Sequence, residues 1–170
     1  MLVCPIQGKV RITQRFGGAY ETYKRFGLAG HDGIDMTGEF KGVLVPVHAP
    51  AEGVVAEVGN QGTSGYGRFV RIRTRETDAA GRRKEIVLAH LSETCVKRGS
   101  WVYLYDRIGT MGNTGFSSGP HLHVGLRFLD AEGMVLDAGN GYLGYVDFLA
   151  HLLGIMDAGM FAQNFLFPFG

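Results

Sequence analysis

A chain of 170 residues, 45% hydrophobic and 19% charged, has room for one folded domain and little more. Its formal net charge of +1 makes no case for nucleic acid or an anionic membrane surface as the main partner. Glycine stands out at 27 residues, roughly twice the usual share of about 7%, and with 5 prolines and no repeat it points to tight turns between short strands.

In chain order, Lys9–Phe16 alternates Val10 and Ile12 against Arg11 and Thr13 and predicts a strand. Gly17–Gly30, with Tyr20, Tyr23 and Phe26, reads as a long ordered loop. Gly42–Pro50 is a short apolar strand interrupted by Pro46, which favours a sheet edge or a strand end. Glu52–Asn60 and Gly65–Glu76 are predicted strands, and Asp78–Lys84 is a polar hairpin loop before a return strand at Glu85–Ser92. Arg98–Gly115 holds a strand or two with turns at Gly99, Gly109, Gly112 and Gly115. Leu122–Phe128 is a further strand. Tyr145–Met156 places Val146, Leu149, Leu152, Leu153 and Met156 at helical spacing, which predicts one short amphipathic helix near the C-terminus. The final stretch, GMFAQNFLFPFG, is aromatic-rich and is expected to pack on its own domain. The expected fold is therefore all-β, mostly antiparallel, with a short C-terminal helix. A single domain is expected over 1–170, with a core at about 10–128 and a strand and helix extension at about 129–170.

Cys4 and Cys95 form no CxxC pair, so they are either free or joined in one bridge. The first residues lack a charged region followed by a long apolar one, so no signal peptide is expected in the chain as given. That fits a cytosolic product, a cleaved mature form or a protein exported by another route. No apolar run approaches the ~18 residues of a membrane span.

The stretch SSGPHLHVGLR, Ser117–Arg127, sets His121 and His123 two positions apart at the start of a strand. Residues i and i+2 of a strand share a face, so the two imidazoles project together. This suits a metal or acid–base site, and equally a pair of ordinary surface histidines. In AGHDGIDMTG, glycines 30, 33 and 38 argue that His31 and Asp35 lie in a turn leading into a strand. Asp32 is the competing carboxylate, with a turn or cap as its ordinary role. In VLAHLS, period-2 counting puts His90 on the face of Leu88, opposite Val87, Ala89 and Leu91. His48 is read as structural and His151 as an exposed helix residue. A catalytic zinc needs three protein ligands and one open position, whereas a structural site usually takes four with cysteine. The set His31, Asp35, His90, His121 and His123 has no cysteine nearby and fits hydrolysis by activated water better than a metal clip.

GHDGID, VLAHLS and GPHLHVGLR, in this order, resemble the three signature segments of the lysostaphin/LytM-type zinc metallopeptidases, which cut peptidoglycan cross-links. PVHAPAEGVVAEVG, GYGRFVRIR and the run from Val96 to His123 resemble the intervening segments, so the similarity spans roughly Val10 to Phe128. The resemblance implies one Zn2+ per chain held by His31, Asp35 and His123, with His90 and His121 as the two non-ligating catalytic histidines. It implies a small antiparallel sheet with the zinc in a groove, peptidoglycan peptides as partners, a monomer, and a place of action at the bacterial cell wall (secreted, periplasmic or phage-delivered). Which histidine is the base, and which peptide bond is cut, stay open. Leu104-Tyr105 stands where the family commonly has a glycine, which puts one turn in doubt, and Tyr20 or Tyr23 could reach the groove. Three rival readings remain. One is a non-hydrolytic wall-binding or activator module of the same fold. Another is an amidase on the same polymer. The third is a biotinyl- or lipoyl-like carrier, which would need a tip lysine, and none lies between Lys41 and Lys84.

Overall fold

The computed structural model describes residues 2–38 and 45–152. Its strands are β1 Val10–Gln14, β2 Ile34–Gly38, β3 Pro46–His48, β4 Gly53–Asn60, β5 Arg68–Thr77, β6 Arg83–Ala89, β7 Leu91–Thr94, β8 Trp101–Val102, β9 Arg107–Met111, β10 Leu122–Leu129 and β11 Tyr145–Val146. Eight of them form one sheet in the order β1-β2-β10-β6-β5-β4-β8, with β11 also on β10. A second sheet runs β3-β9-β7. The strand pairs of the large sheet are antiparallel, as the glycine-rich turns predict.

Alternation along β10 sorts the two faces. Leu122, Val124 and Leu126 point into the main core with Ile34 and Met36 of β2, Ile86 and Leu88 of β6, and Val70 and Ile72 of β5. Val47, Leu91 and Ile108 of the second sheet close this core from the other side. Fully burying each such side chain stabilises the fold by about 1.5–3 kcal/mol before entropy is counted. His123, Gly125 and Arg127 point the opposite way, where Phe69, Val87, Ala89 and Tyr145 make a smaller cluster. The register sets His123 opposite Asp35 of β2 and opposite Ala89 of β6.

Two expectations need correction. The single α-helix among the described residues is α1, Tyr20–Tyr23, followed by a 3-10 turn at Lys24–Phe26, so the span expected as a loop carries it. At the C-terminal end, Tyr145 is committed to pairing with Arg127, and Asp147 Oδ1 caps a single 3-10 turn at Phe148–His151 by accepting from Leu149 N. The helical spacing there reflects burial of Phe148 and Leu149 in that turn. Leu153, Met156 and the aromatic tail lie outside the described residues. The turn at Tyr105 is kept: Tyr105 adopts a left-handed φ of 69°, and Asp106 N donates to Tyr103 O at 3.0 Å. Pro46 opens an edge strand, as expected. Cys4 is buried, Cys95 is exposed, and they form no bridge. No helix among the described residues is long and apolar enough to cross a membrane.

Candidate metal centre

The turn Gly30–Gly33 delivers His31 to the start of β2, and Asp35 follows one step inside the strand. His123 stands directly across on β10. His31 Nε2 and His123 Nδ1 are 2.9 Å apart, and Asp35 Oδ1 is 3.2 Å from the first and 3.1 Å from the second. Donor atoms sharing a tetrahedral zinc at about 2.0–2.1 Å lie about 3.3 Å from one another. The three atoms make a triangle of nearly that size, in a site where all three residues are buried. Two neutral imidazoles and a carboxylate are also the donor types such an ion takes. Without a metal ion, burial pushes the Asp35 carboxyl up, but N–H donation from His123 and His31, with the charge of those rings when protonated, outweighs that and holds it well below the usual carboxylate range.

Asp32 is the second carboxylate at this centre. It offers an oxygen within 4.8 Å of a ring nitrogen of both His31 and His123. Its nearest ring contact is on the far edge of His123, where Oδ1 is 3.8 Å from Nε2. Its other oxygen accepts the Tyr66 hydroxyl at 2.6 Å. Asp35 fits a shared ion more closely than Asp32, because its oxygen is nearer to both nitrogens and is not engaged by a tyrosine hydroxyl. Gly33 makes the packing possible: a Cβ there would come within 2.6 Å of His123 Cε1 and 2.7 Å of Nε2.

His90 and His121 stand beside the triangle. Their ring centroids are 4.7 Å apart, and His90 is 5.8 Å from His123. A carbonyl oxygen can only accept, so each neutral ring must carry its proton on the nitrogen that meets one. His90 Nδ1 donates to Thr114 O at 2.8 Å, and His121 Nδ1 donates to Gly119 O at 2.8 Å. In its neutral form each ring then has its lone pair on Nε2, and the Nε2 of His121 lies 3.5 Å from Asp35 Oδ2. Burial, helped by the charges of His123 and His121, pulls the His90 pKa down to about 4. The expected facing of His90 is corrected. Period-2 counting would send it into the core with Leu88, but its φ of 61° ends β6 and turns the imidazole to the opposite face. A left-handed φ costs a non-glycine residue about 1–2 kcal/mol, strain of the kind that gathers at functional sites.

A cavity of about 230 Å³ opens beside the centre, lined by Tyr23, Phe26, Asp32, Tyr66, His90, Phe116 and His123 among others. The structure thus brings together all five residues singled out from the sequence. It adds Tyr66, Phe26 and Phe116, none of which was expected at the site. Of the two candidate tyrosines, Tyr23 reaches the site: its ring is 5.1 Å from that of His31, and Gln14 Nε2 donates to its hydroxyl at 3.1 Å. Tyr20 is mostly exposed. His48 lies on β3 of the other sheet, and His151 packs on Phe128.

Two imidazoles and a carboxylate in one triangle, flanked by two imidazoles with bared nitrogens, define a candidate metallohydrolase centre on an antiparallel sheet. The chain belongs to peptidase family M23, whose family model matches residues 29–138. It is 37% identical over 119 residues to an uncharacterized metalloprotease of Haemophilus influenzae, covering 70% of this chain and 23% of that protein. It is 33% identical over 124 residues to the peptidoglycan DD-endopeptidase ShyA of Vibrio cholerae, covering 72% of this chain and 26% of that protein. Among solved structures it is similar to Helicobacter pylori Csd3, with a TM-score of 0.59 and 25% identity over 89% of this chain and 33% of that one. The chain spans about a quarter of the length of these two curated relatives.

Proposed function

We propose that this chain is a zinc-dependent endopeptidase that hydrolyses peptide bonds in peptidoglycan cross-links or stem peptides. The observation that carries the reading is the triangle of His31 Nε2, Asp35 Oδ1 and His123 Nδ1, with edges of 2.9, 3.2 and 3.1 Å. These three residues would hold one zinc. When bound, zinc supplies Lewis acidity, polarising a carbonyl oxygen and making water acidic near neutral pH. His90 and His121 handle protons through their free Nε2 atoms. One takes the proton of the attacking water, and the other hydrogen-bonds the developing oxyanion or protonates the leaving amine. The low pKa of His90 keeps it neutral and ready to accept. The backbone carbonyls of Thr114 and Gly119 hold both rings in the required tautomer. Tyr23, Phe26, Phe116 and Tyr66 shield the cavity from bulk water and give the peptide an apolar bed.

The substrate class rests on the family and on the named activity of the ShyA relative. It implies action at the bacterial cell wall, with peptidoglycan peptides as partners and the chain working as a monomer. The test is mass analysis of fragments released by the zinc-loaded protein from purified peptidoglycans of two cross-link types. New peptide termini within cross-links or stems are expected. Release of whole stem peptides from the glycan would make it an amidase. Binding without release would make it a non-hydrolytic module of the same fold.

A further inference from the structure

We propose that Asp32, held in place by Tyr66, is a positioning residue that fixes the tautomer and orientation of His123. This rests on the ligand set His31, Asp35 and His123 proposed above.

The inference starts from a break in a pattern. Three of the four imidazoles at the centre place Nδ1 against a backbone carbonyl: His31 on Arg15 O at 3.3 Å, His90 on Thr114 O at 2.8 Å and His121 on Gly119 O at 2.8 Å. Each then turns Nε2 inward. His123 is reversed. Its Nδ1 faces His31 and Asp35, so its proton belongs on Nε2 when Nδ1 acts as a ligand. That Nε2 is buried and makes no hydrogen bond. The group facing it is the Asp32 carboxylate, with Oδ1 at 3.8 Å. Where the other rings have a carbonyl, His123 has an acid.

The acid is itself anchored. Tyr66 donates its hydroxyl to Asp32 Oδ2 at 2.6 Å, and its ring centroid is 5.3 Å from that of His123. Behind Tyr66 the Arg71 guanidinium lies 5.5 Å from the ring centroid and donates to the Tyr145 hydroxyl at 2.5 Å. Gly33 completes the arrangement, because a Cβ there would occupy the space taken by the Nε2 edge of His123. A carboxylate on the outer nitrogen of a ligating imidazole sets its tautomer, holds the ring plane and raises its basicity. Asp32 acts on the metal through His123.

The test measures zinc affinity of the full chain by competition with a chromophoric chelator, with the histidine ring nitrogens of the zinc-loaded protein followed by NMR. Asp32→Ala should weaken zinc binding by about 10–100-fold and shift or remove the Nε2–H signal of His123. Asp32→Asn keeps an oxygen acceptor and should restore both in large part. Tyr66→Phe should weaken binding by a smaller factor than Asp32→Ala. Asp35→Ala is the control for the ligand set and should lose zinc outright. Wild-type affinity and an unchanged His123 signal in Asp32→Ala, beside zinc loss in Asp35→Ala, would overturn the proposal and leave the ligand set standing. Zinc loss in Asp32→Ala beside retention in Asp35→Ala would make Asp32 the ligand and overturn both.

Discussion

Asp35 and Glu85 are two buried carboxylates on one face of one sheet. Asp35 stands opposite His123 on β10, and Glu85 stands opposite Arg127, four residues further along the same strand. At about 3.4 Å per residue, their partners His123 and Arg127 lie roughly 14 Å apart along β10. Glu85 is surrounded by permanent cations. Its Oε1 accepts from Arg127 Nε at 2.8 Å and Nη2 at 2.5 Å, its Oε2 accepts from Arg73 Nε at 2.7 Å, and Arg71 Nη1 is 3.6 Å away. Burial pushes the Glu85 pKa up, but Arg73, Arg127 and Arg71 outweigh it and hold the carboxyl below its ordinary value. Asp35 meets imidazoles instead, which are neutral when they present a lone pair. Guanidinium groups bring their own charge and close the Glu85 cluster. Imidazoles bring lone pairs, so the Asp35 cluster has the donors a cation takes. On the proposed reading, the kind of base around a buried carboxylate, rather than its burial, is what makes a metal site.

This contrast is open to experiment at both ends. Asp35→Ala should abolish zinc retention and turnover together, measured by metal analysis of the purified protein and by peptidoglycan digestion. His90→Ala and His121→Ala should keep about one zinc per chain and lose about 10²–10⁴-fold in kcat. If either variant turned over at the wild-type rate, that histidine would have no part in proton transfer. Glu85→Ala should do the reverse of Asp35→Ala. It leaves the half-buried Arg71 and Arg127 and the exposed Arg73 without their carboxylate and should cost about 1–3 kcal/mol in chemical denaturation, while the folded protein still binds zinc.

Acid should act on the Glu85 end by a route of known sign. The folded-state pKa of Glu85 lies below its ordinary 4.5, so its contribution to stability is complete above that value. It is lost as pH falls through the lowered folded-state value. Denaturation curves of wild type and Glu85→Gln should therefore converge in acid and separate as pH rises to about 5. Parallel curves across that range would show that Glu85 is not the titrating group.

Much of the centre was legible in the sequence because strand geometry is regular. The two-residue spacing of His121 and His123, and the glycine-rich turn carrying His31 and Asp35, both led to residues that meet across β2 and β10. Period alone misled at His90, since one left-handed residue resets which face follows. It misled again after Tyr145, where pairing to β10 took the backbone that apolar spacing had offered to a helix. The helix α1 has no buried residue and so no apolar stripe to announce it. Tyr66 and Asp32 are 34 positions apart and carry no shared local pattern. The one trace is the pair of glycines around Tyr66, both at positive φ, which let the loop fold back against Thr114 and Gly115.

The smallest expected effect concerns the strain at His90. Both His90→Ala and His90→Gly remove the imidazole, but glycine accepts the φ of 61° without penalty. His90→Gly should be the more stable of the two by about 1 kcal/mol in thermal or chemical denaturation. Equal stability would show that the turn relaxes once the side chain is gone.

The most direct measurement is a crystal structure of the zinc-soaked protein with anomalous data collected at the zinc edge. One peak bonded to His31 Nε2, Asp35 Oδ1 and His123 Nδ1 is the expected result. A peak bonded to Asp32 and the Nε2 edge of His123, or no peak among these residues, would contradict it.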